Sequence, residues 1–239
     1  GDEGVQIPFA IGSDGKAAPL DVAPDGDGGA WLVFRELWPG GQHIVTIAHV
    51  TPDGVMDLYD QVEDFVADSA SLQAFAVPTS TTDVIIVWTA NHPHPNEILV
   101  AAKYRVDGSR VWLMQVANQV HLAPALSFVW KAAPDGGDGL LVACERKVGT
   151  GPTEWRVQKL DASGNVPWGA NGVQLWTNSG EVGGVMSDGV GGALVMNDHA
   201  FGQVDVQRVD ASGSAVWPAG GVRALDLNLS LGEDIAAWC

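Results

Sequence analysis

The sequence predicts an all-β fold, a β-propeller of about four four-stranded blades. Three observations predict it. One unit recurs at a steady period, its apolar runs are short and β-branched, and Asp-Gly or Gly-Gly pairs close them. The clearest copy runs from Ser187-Asp188-Gly189-Val190-Gly191-Gly192-Ala193-Leu194-Val195-Met196 through Val206-Gln207-Arg208-Val209-Asp210-Ala211-Ser212-Gly213 to Val216-Trp217. A second copy carries Pro134 to Cys144, then Val157 to Gly164, then Pro167-Trp168-Gly169. Two fainter copies precede it, one from Thr82 to Trp112 and one from Pro24 to Leu58. Aligning Val33, Val87, Val142 and Val195 gives spacings of 54, 55 and 53 residues. Propeller blades repeat at about 40–50 residues, so this period fits one blade per unit.

Each unit holds four runs that read as strands. In the last complete unit these are roughly Glu181 to Met186, Gly192 to Asn197, Val204 to Val209 and Ala215 to Trp217. No window combines a helical period with a cap. The repeats are expected at approximately 17–71, 72–125, 126–180 and 181–231, within one domain spanning 1–239. Gly4-Val5-Gln6-Ile7-Pro8-Phe9 echoes Gly172-Val173-Gln174-Leu175-Trp176, an outer strand, and 232–239 echoes the inner strand beginning at Gly180. Segments 1–16 and 232–239 are therefore expected to close the ring across its seam, because closure removes exposed strand edges. A ring of five blades, completed by another copy or by further residues, is the alternative.

Composition narrows the partners. Lys and Arg number 12 against 29 Asp and Glu, a net charge of −17, with no run of one sign. Nucleic acid and anionic lipid need clustered cations, so neither is expected as a partner. No apolar run is long enough to span a bilayer, so membrane insertion is not expected. The start at Gly1-Asp2-Glu3-Gly4 lacks a basic-then-apolar leader and reads as a mature or excised domain. Cys144 and Cys239 either pair or stay as free thiols; spacing alone does not decide.

The units resemble repeats of large secreted bacterial surface proteins, in which a Gly-Gly strand is followed by Gln-Arg-Leu-Asp-x-x-Gly and Trp-Gly-x-x-Gly-Val. The third and fourth units carry the resemblance, in Gln158-Lys159-Leu160-Asp161-Ala162-Ser163-Gly164 with Trp168-Gly169-Ala170-Asn171-Gly172-Val173, and in Gln207-Arg208-Val209-Asp210-Ala211-Ser212-Gly213 with Trp217. The resemblance implies a propeller in a secreted or cell-surface protein, and it brings no catalytic motif.

Several motifs read as scaffold. Asp161 to Gly164 and Asp210 to Gly213 are tight turns in which Asp bonds backbone N–H groups and Gly takes a positive φ. Trp112, Trp168 and Trp217 recur at one place in the repeat and are expected to pack blade against blade. Asp25-Gly26-Asp27-Gly28 begins like a calcium loop, but no later acidic ligand follows, so no cofactor is assigned and calcium stays a minor alternative. His43, His49 and His121 read as isolated, and His92, His94 and His199 define no fixed metal set.

Function is expected where the repeats disagree, in the loops after the Gly-Gly strands. Arg35, Glu36 and Trp38 come from the first unit, Asn91 and His92 from the second, Glu145 and Arg146 from the third, and Asn197, Asp198 and His199 from the fourth. These form the candidate ligand-binding set, with Trp38 as a flat platform for a sugar. The leading expectation is a non-catalytic, lectin-like module that holds a glycan or a surface protein. A structural bead that self-associates through its terminal strands is a second reading. A carbohydrate-active enzyme is a third, using carboxylates such as Glu36, Glu145 and Asp198 across a sugar.

Overall fold

The computed structural model describes residues 16–38, 42–62, 73–90, 98–118, 130–147, 151–177, 180–199 and 202–226. Their strands build four four-stranded antiparallel sheets, each a meander in which every strand pairs with the next in sequence. The first sheet holds β1 (Lys16–Pro24), β2 (Ala30–Trp38), β3 (Gln42–Val50) and β4 (Met56–Gln61). The second holds β5 (Ala74–Pro78), β6 (Val84–Ala90), β7 (Ile98–Tyr104) and β8 (Arg110–Asn118). The third holds β9 (Trp130–Pro134), β10 (Leu140–Lys147), β11 (Thr153–Leu160) and β12 (Val173–Thr177). The fourth holds β13 (Glu181–Ser187), β14 (Ala193–His199), β15 (Gln203–Val209) and β16 (Val222–Asp226). The four sheets match the four repeats; of the segments expected to close a ring, 1–16 and 232–239, all but Lys16 at the start of β1 lie outside the described residues. Among the described residues no helix is long and apolar enough to cross a membrane.

The sheets stack face to face, with β1, β5, β9 and β13 packed in succession. Three cores fill the junctions. Trp31 and Val33 of β2 meet Val84, Ile86 and Trp88 of β6. Ile85 and Val87, on the other face of β6, meet Leu140, Val142 and Cys144 of β10. Leu141 and Ala143 then meet Ala193 and Val195 of β14. A strand buried on both faces needs an unbroken apolar run, which is why β6 reads Val-Ile-Ile-Val-Trp-Thr-Ala with every residue buried.

The turn between the first two strands sets the register. Asp188 Oδ1 accepts the N–H groups of Val190 (3.0 Å) and Gly192 (2.7 Å), and Asp25 and Asp135 repeat this arrangement in the first and third sheets. A Cβ on Gly192 would collide with the carbonyl oxygen of Val209 on the third strand, so only glycine fits. The hairpins pair Pro24 with Ala30, Pro78 with Val84, Pro134 with Leu140 and Ser187 with Ala193. Leu32, Ile86, Val142 and Val195 are therefore equivalent, and the sequence alignment on Val33 and Val87 is one residue out against the later units. A slip of one residue in a strand moves every side chain to the opposite face.

The last unit also differs from expectation at its outer edge. Its fourth strand is β16, whereas Ala215 makes a single bridge to Val209 and 214–221 forms a loop. Buried Gln207 is the cause. Its Oε1 accepts the Trp217 N–H and its Nε2 donates to the Trp217 and Pro218 carbonyls, holding the loop away from the ladder. Gln158 does the same in the third sheet, donating to the Gly169 carbonyl at 2.7 Å. At this register the first two sheets have Ala48 and Ala102, and there β4 and β8 follow their turns directly.

Candidate functional site

All of the described candidate ligand residues lie at the far ends of β2, β10 and β14, one end of the stack. The sheets nonetheless turn them in different directions. Arg35 is half-buried on the β2 face that meets the second sheet. Glu36 points to the opposite face, is fully buried, and accepts a hydrogen bond from the Tyr59 hydroxyl on β4. Trp38 ends β2 opposite Gln42, and its side chain is outside the described residues, as are Asn91 and His92. Glu145 is buried on the β10 face that meets the fourth sheet, beside Trp155 of β11. Arg146 alternates to the other face and donates to Asn171 Oδ1 at 3.1 Å. Asp198 is exposed on the side of β14 that faces away from the third sheet.

The register correction changes the carboxylate set. Glu145 and Asp198 are equivalent to Arg35 in the first sheet, and Glu36 is equivalent to Arg146 and His199. Glu36, Glu145 and Asp198 thus occupy three differently directed surfaces.

What the structure does bring together is a polar row across the fourth sheet, on its face toward the third. Asn197 is fully buried, with Nδ2 3.2 Å from His199 Nε2. His199 Nε2 lies 2.8 Å from Asp205 Oδ2, and Arg223 Nε donates to Asp205 Oδ1 at 2.5 Å. Burial pushes the Asp205 carboxyl up, but the bonds from Arg223 and His199 outweigh it and hold it below the usual carboxylate range. Gly180 closes over Asn197 so tightly that a Cβ would strike its side-chain oxygen. Across the junction the third sheet presents Glu145, Trp155 and Trp176, and Trp176 Nε1 donates to the Gly220 carbonyl at 2.9 Å. The row therefore joins an acid, an amide, an imidazole and a guanidinium beside indoles. Asp205 and Arg223 were missed from sequence because their partners sit on separate strands.

At the other end of the stack, each sheet places a basic side chain on its third strand against a carboxylate of the first turn. The pairs are His49 Nε2 with Asp25 (3.0 Å), Lys103 with Asp83 (3.6 Å), Lys159 with Asp135 (3.3 Å) and Arg208 with Asp188 (2.9 Å). In the second sheet Thr79 opens the turn and the carboxylate comes from its last residue. His49 is thus not isolated: its Nδ1 also lies 2.6 Å from Asp57. Burial raises the Asp25 carboxyl, and the N–H groups of Asp27 and Gly29 together with His49 pull it below its ordinary value. With these bonds made, Asp25-Gly26-Asp27-Gly28 is a hydrogen-bonded turn, and no group of three metal-ligating side chains occurs among the described residues. Cys144 is a free, buried thiol whose pKa burial pushes up to about 12.

No family model and no curated protein matches the chain. Solved structures do. The chain superposes on the Hadza microbial sialidase with a TM-score of 0.53 and 12% identity, over 85% of this chain and 46% of that one. It also matches a family 117 glycoside hydrolase from the marine bacterium Zobellia galactanivorans (TM-score 0.42, 8% identity, 85% and 70% covered). A third match is a puromycin hydrolase mutant (TM-score 0.39, 16% identity, 90% and 39% covered). At such identities the first match supports the fold alone, a propeller-like stack of four-stranded sheets. The chain spans less than half the length of that sialidase structure.

Proposed function

We propose that the chain is a non-catalytic extracellular module that holds a glycan at the junction of its third and fourth sheets. The observation that carries this reading is the polar row Asn197, His199, Asp205 and Arg223, facing Glu145 beside Trp155 and Trp176. Sugars are recognised by planar arrays of donors and acceptors next to aromatic faces, and the row supplies both kinds of group. A sialidase among the structures of this fold is in keeping with a carbohydrate ligand. Arg35, Arg146 and Asp198 lie toward the same end of the stack but on other faces of their sheets, and Asn91, His92 and the Trp38 side chain are outside the described residues.

The three carboxylates considered for hydrolysis from the sequence do not form a pair suited to it. Glycoside hydrolysis uses two carboxyl groups about 5–10 Å apart on either side of one bond. Glu36 is engaged by Tyr59, Glu145 faces the fourth sheet and Asp198 faces away from the third, so this trio offers no facing pair. The test is a glycan array followed by calorimetry on the wild type and on Arg223→Ala. Binding that weakens at least tenfold in the variant, without sugar release, supports the reading. A blank array, or binding indifferent to Arg223, Asp205 and His199, sinks it.

A further inference from the structure

Residues that face the next sheet are buried at each of the three junctions, as Trp31 with Val33, Ile85 with Val87 and Leu141 with Ala143. Their equivalents in the fourth sheet are Leu194 and Met196. Cross-strand pairing places Met186 of β13, Val206 of β15, and Val222 and Leu225 of β16 on that same face. Met186, Met196, Val222 and Leu225 are 59%, 39%, 47% and 42% exposed. Met196 lies flat across Gly183, where a Cβ would come within 2.9 Å of its terminal methyl. The result is a level apolar surface four strands wide, built like the three buried junction faces and left open. Contiguous apolar patches of this kind mark association sites.

We propose that this face is an interface between two copies of this chain related by a two-fold axis. Two observations choose that partner. The corresponding outer face of the first sheet is already filled from within the chain: Phe34, Thr46 and Ala48 are buried there, and the Tyr59 ring packs 5.8 Å from Phe34. Head-to-tail growth from fourth sheet to first sheet therefore lacks a receiving surface, and the open face pairs with its own copy.

Charge gives the orientation. Glu181 and Asp198 are directly opposite each other at one end of the face, both exposed, and like charges so placed repel. Arg208 stands at the other end, opposite Leu194, with its side chain 35% exposed. A two-fold axis lying in the interface across the strands sets Arg208 of each copy over the acidic end of the other. Sheets pack face to face about 10 Å apart, a spacing that methionine and valine side chains fill.

Light scattering on the purified chain across a concentration series tests this. The expected mass is twice the 25.0 kDa of one chain. Met196→Lys and Leu225→Lys, both at exposed positions, are expected to keep the wild-type circular dichroism and raise the dimer dissociation constant at least tenfold. A mass of 25.0 kDa at every concentration overturns the proposal. So does a dimer unmoved by both substitutions. Slow peroxide oxidation of Met186 and Met196 in a monomer would show that the chain's own residues 227–239 cover the face, which also overturns it.

Discussion

His49 and Asp25 meet at 3.0 Å with both residues 2% exposed, in the slot that the other three sheets fill with Lys103, Lys159 and Arg208. The slot explains why a histidine sits in the interior of β3 directly opposite Trp31, whose ring lies 4.8 Å from the imidazole. His49→Ala leaves the Asp25 carboxylate buried without that partner and is expected to cost about 1–3 kcal/mol. His49→Lys restores the residue type of the second and third sheets and should lose less. Urea unfolding at pH 7 ranks the two; equal losses would deny the slot its role.

Acid sensitivity follows from the depressed carboxyls. For Asp188, burial raises the carboxyl, but the N–H groups of Val190 and Gly192 and the Arg208 guanidinium lower it further. A carboxyl whose folded value lies below its unfolded one stabilises the fold above the unfolded value, near 3.9, and that contribution fades as pH falls through the lower folded value. Asp25 and Asp205 act in the same direction. Stability should therefore drop as pH falls below about 4, and Asp188→Asn should make that drop shallower while lowering stability at pH 7 by about 1–3 kcal/mol. Chemical unfolding at a series of pH values measures both effects.

Gly213 lies beneath Trp168, where a Cβ would approach the indole to 2.8 Å; Gly169 has a similar positive φ and open space around it. Alanine at Gly169 should cost only the left-handed backbone penalty, about 1 kcal/mol. Alanine at Gly213 adds a steric conflict of roughly 1–3 kcal/mol on top. Thermal unfolding of the two variants isolates the contact as a difference.

Gln207→Ala removes the side chain that holds Trp217 and Pro218. Hydrogen exchange should accelerate at least tenfold in 214–221 and stay near wild type in β5 to β8. Uniform acceleration across all four sheets would mean that the glutamine acts globally.

Much of this architecture was legible in the sequence. The period, the Asp-to-Gly turns and the packing of Trp112 and Trp168 follow from short-range rules that each repeat restates. The register was lost between the second and third units, because Val33 and Val87 matched Val142 in type while the turns ending at Gly29 and Gly139 gave the true frame. That slip put Glu36 into the carboxylate set in place of Arg35. The Asp205–Arg223 contact and the His49 slot were hidden for another reason. Each joins residues on different strands, and pairing across a sheet is fixed by hairpin closure rather than by any local pattern.

The indoles have a further consequence. Leu58 fits over Gly108, Trp112 over Gly164 and Trp168 over Gly213, each large side chain seated on a turn glycine of the following sheet. Trp112 and Trp168 also donate their Nε1–H groups to the carbonyls of Ala162 and Ala211. Each joint is thus a key and a keyhole borne by consecutive repeats. Duplicating one repeat in tandem carries both halves along, so a gene of this kind can lengthen by copying without inventing a new joint.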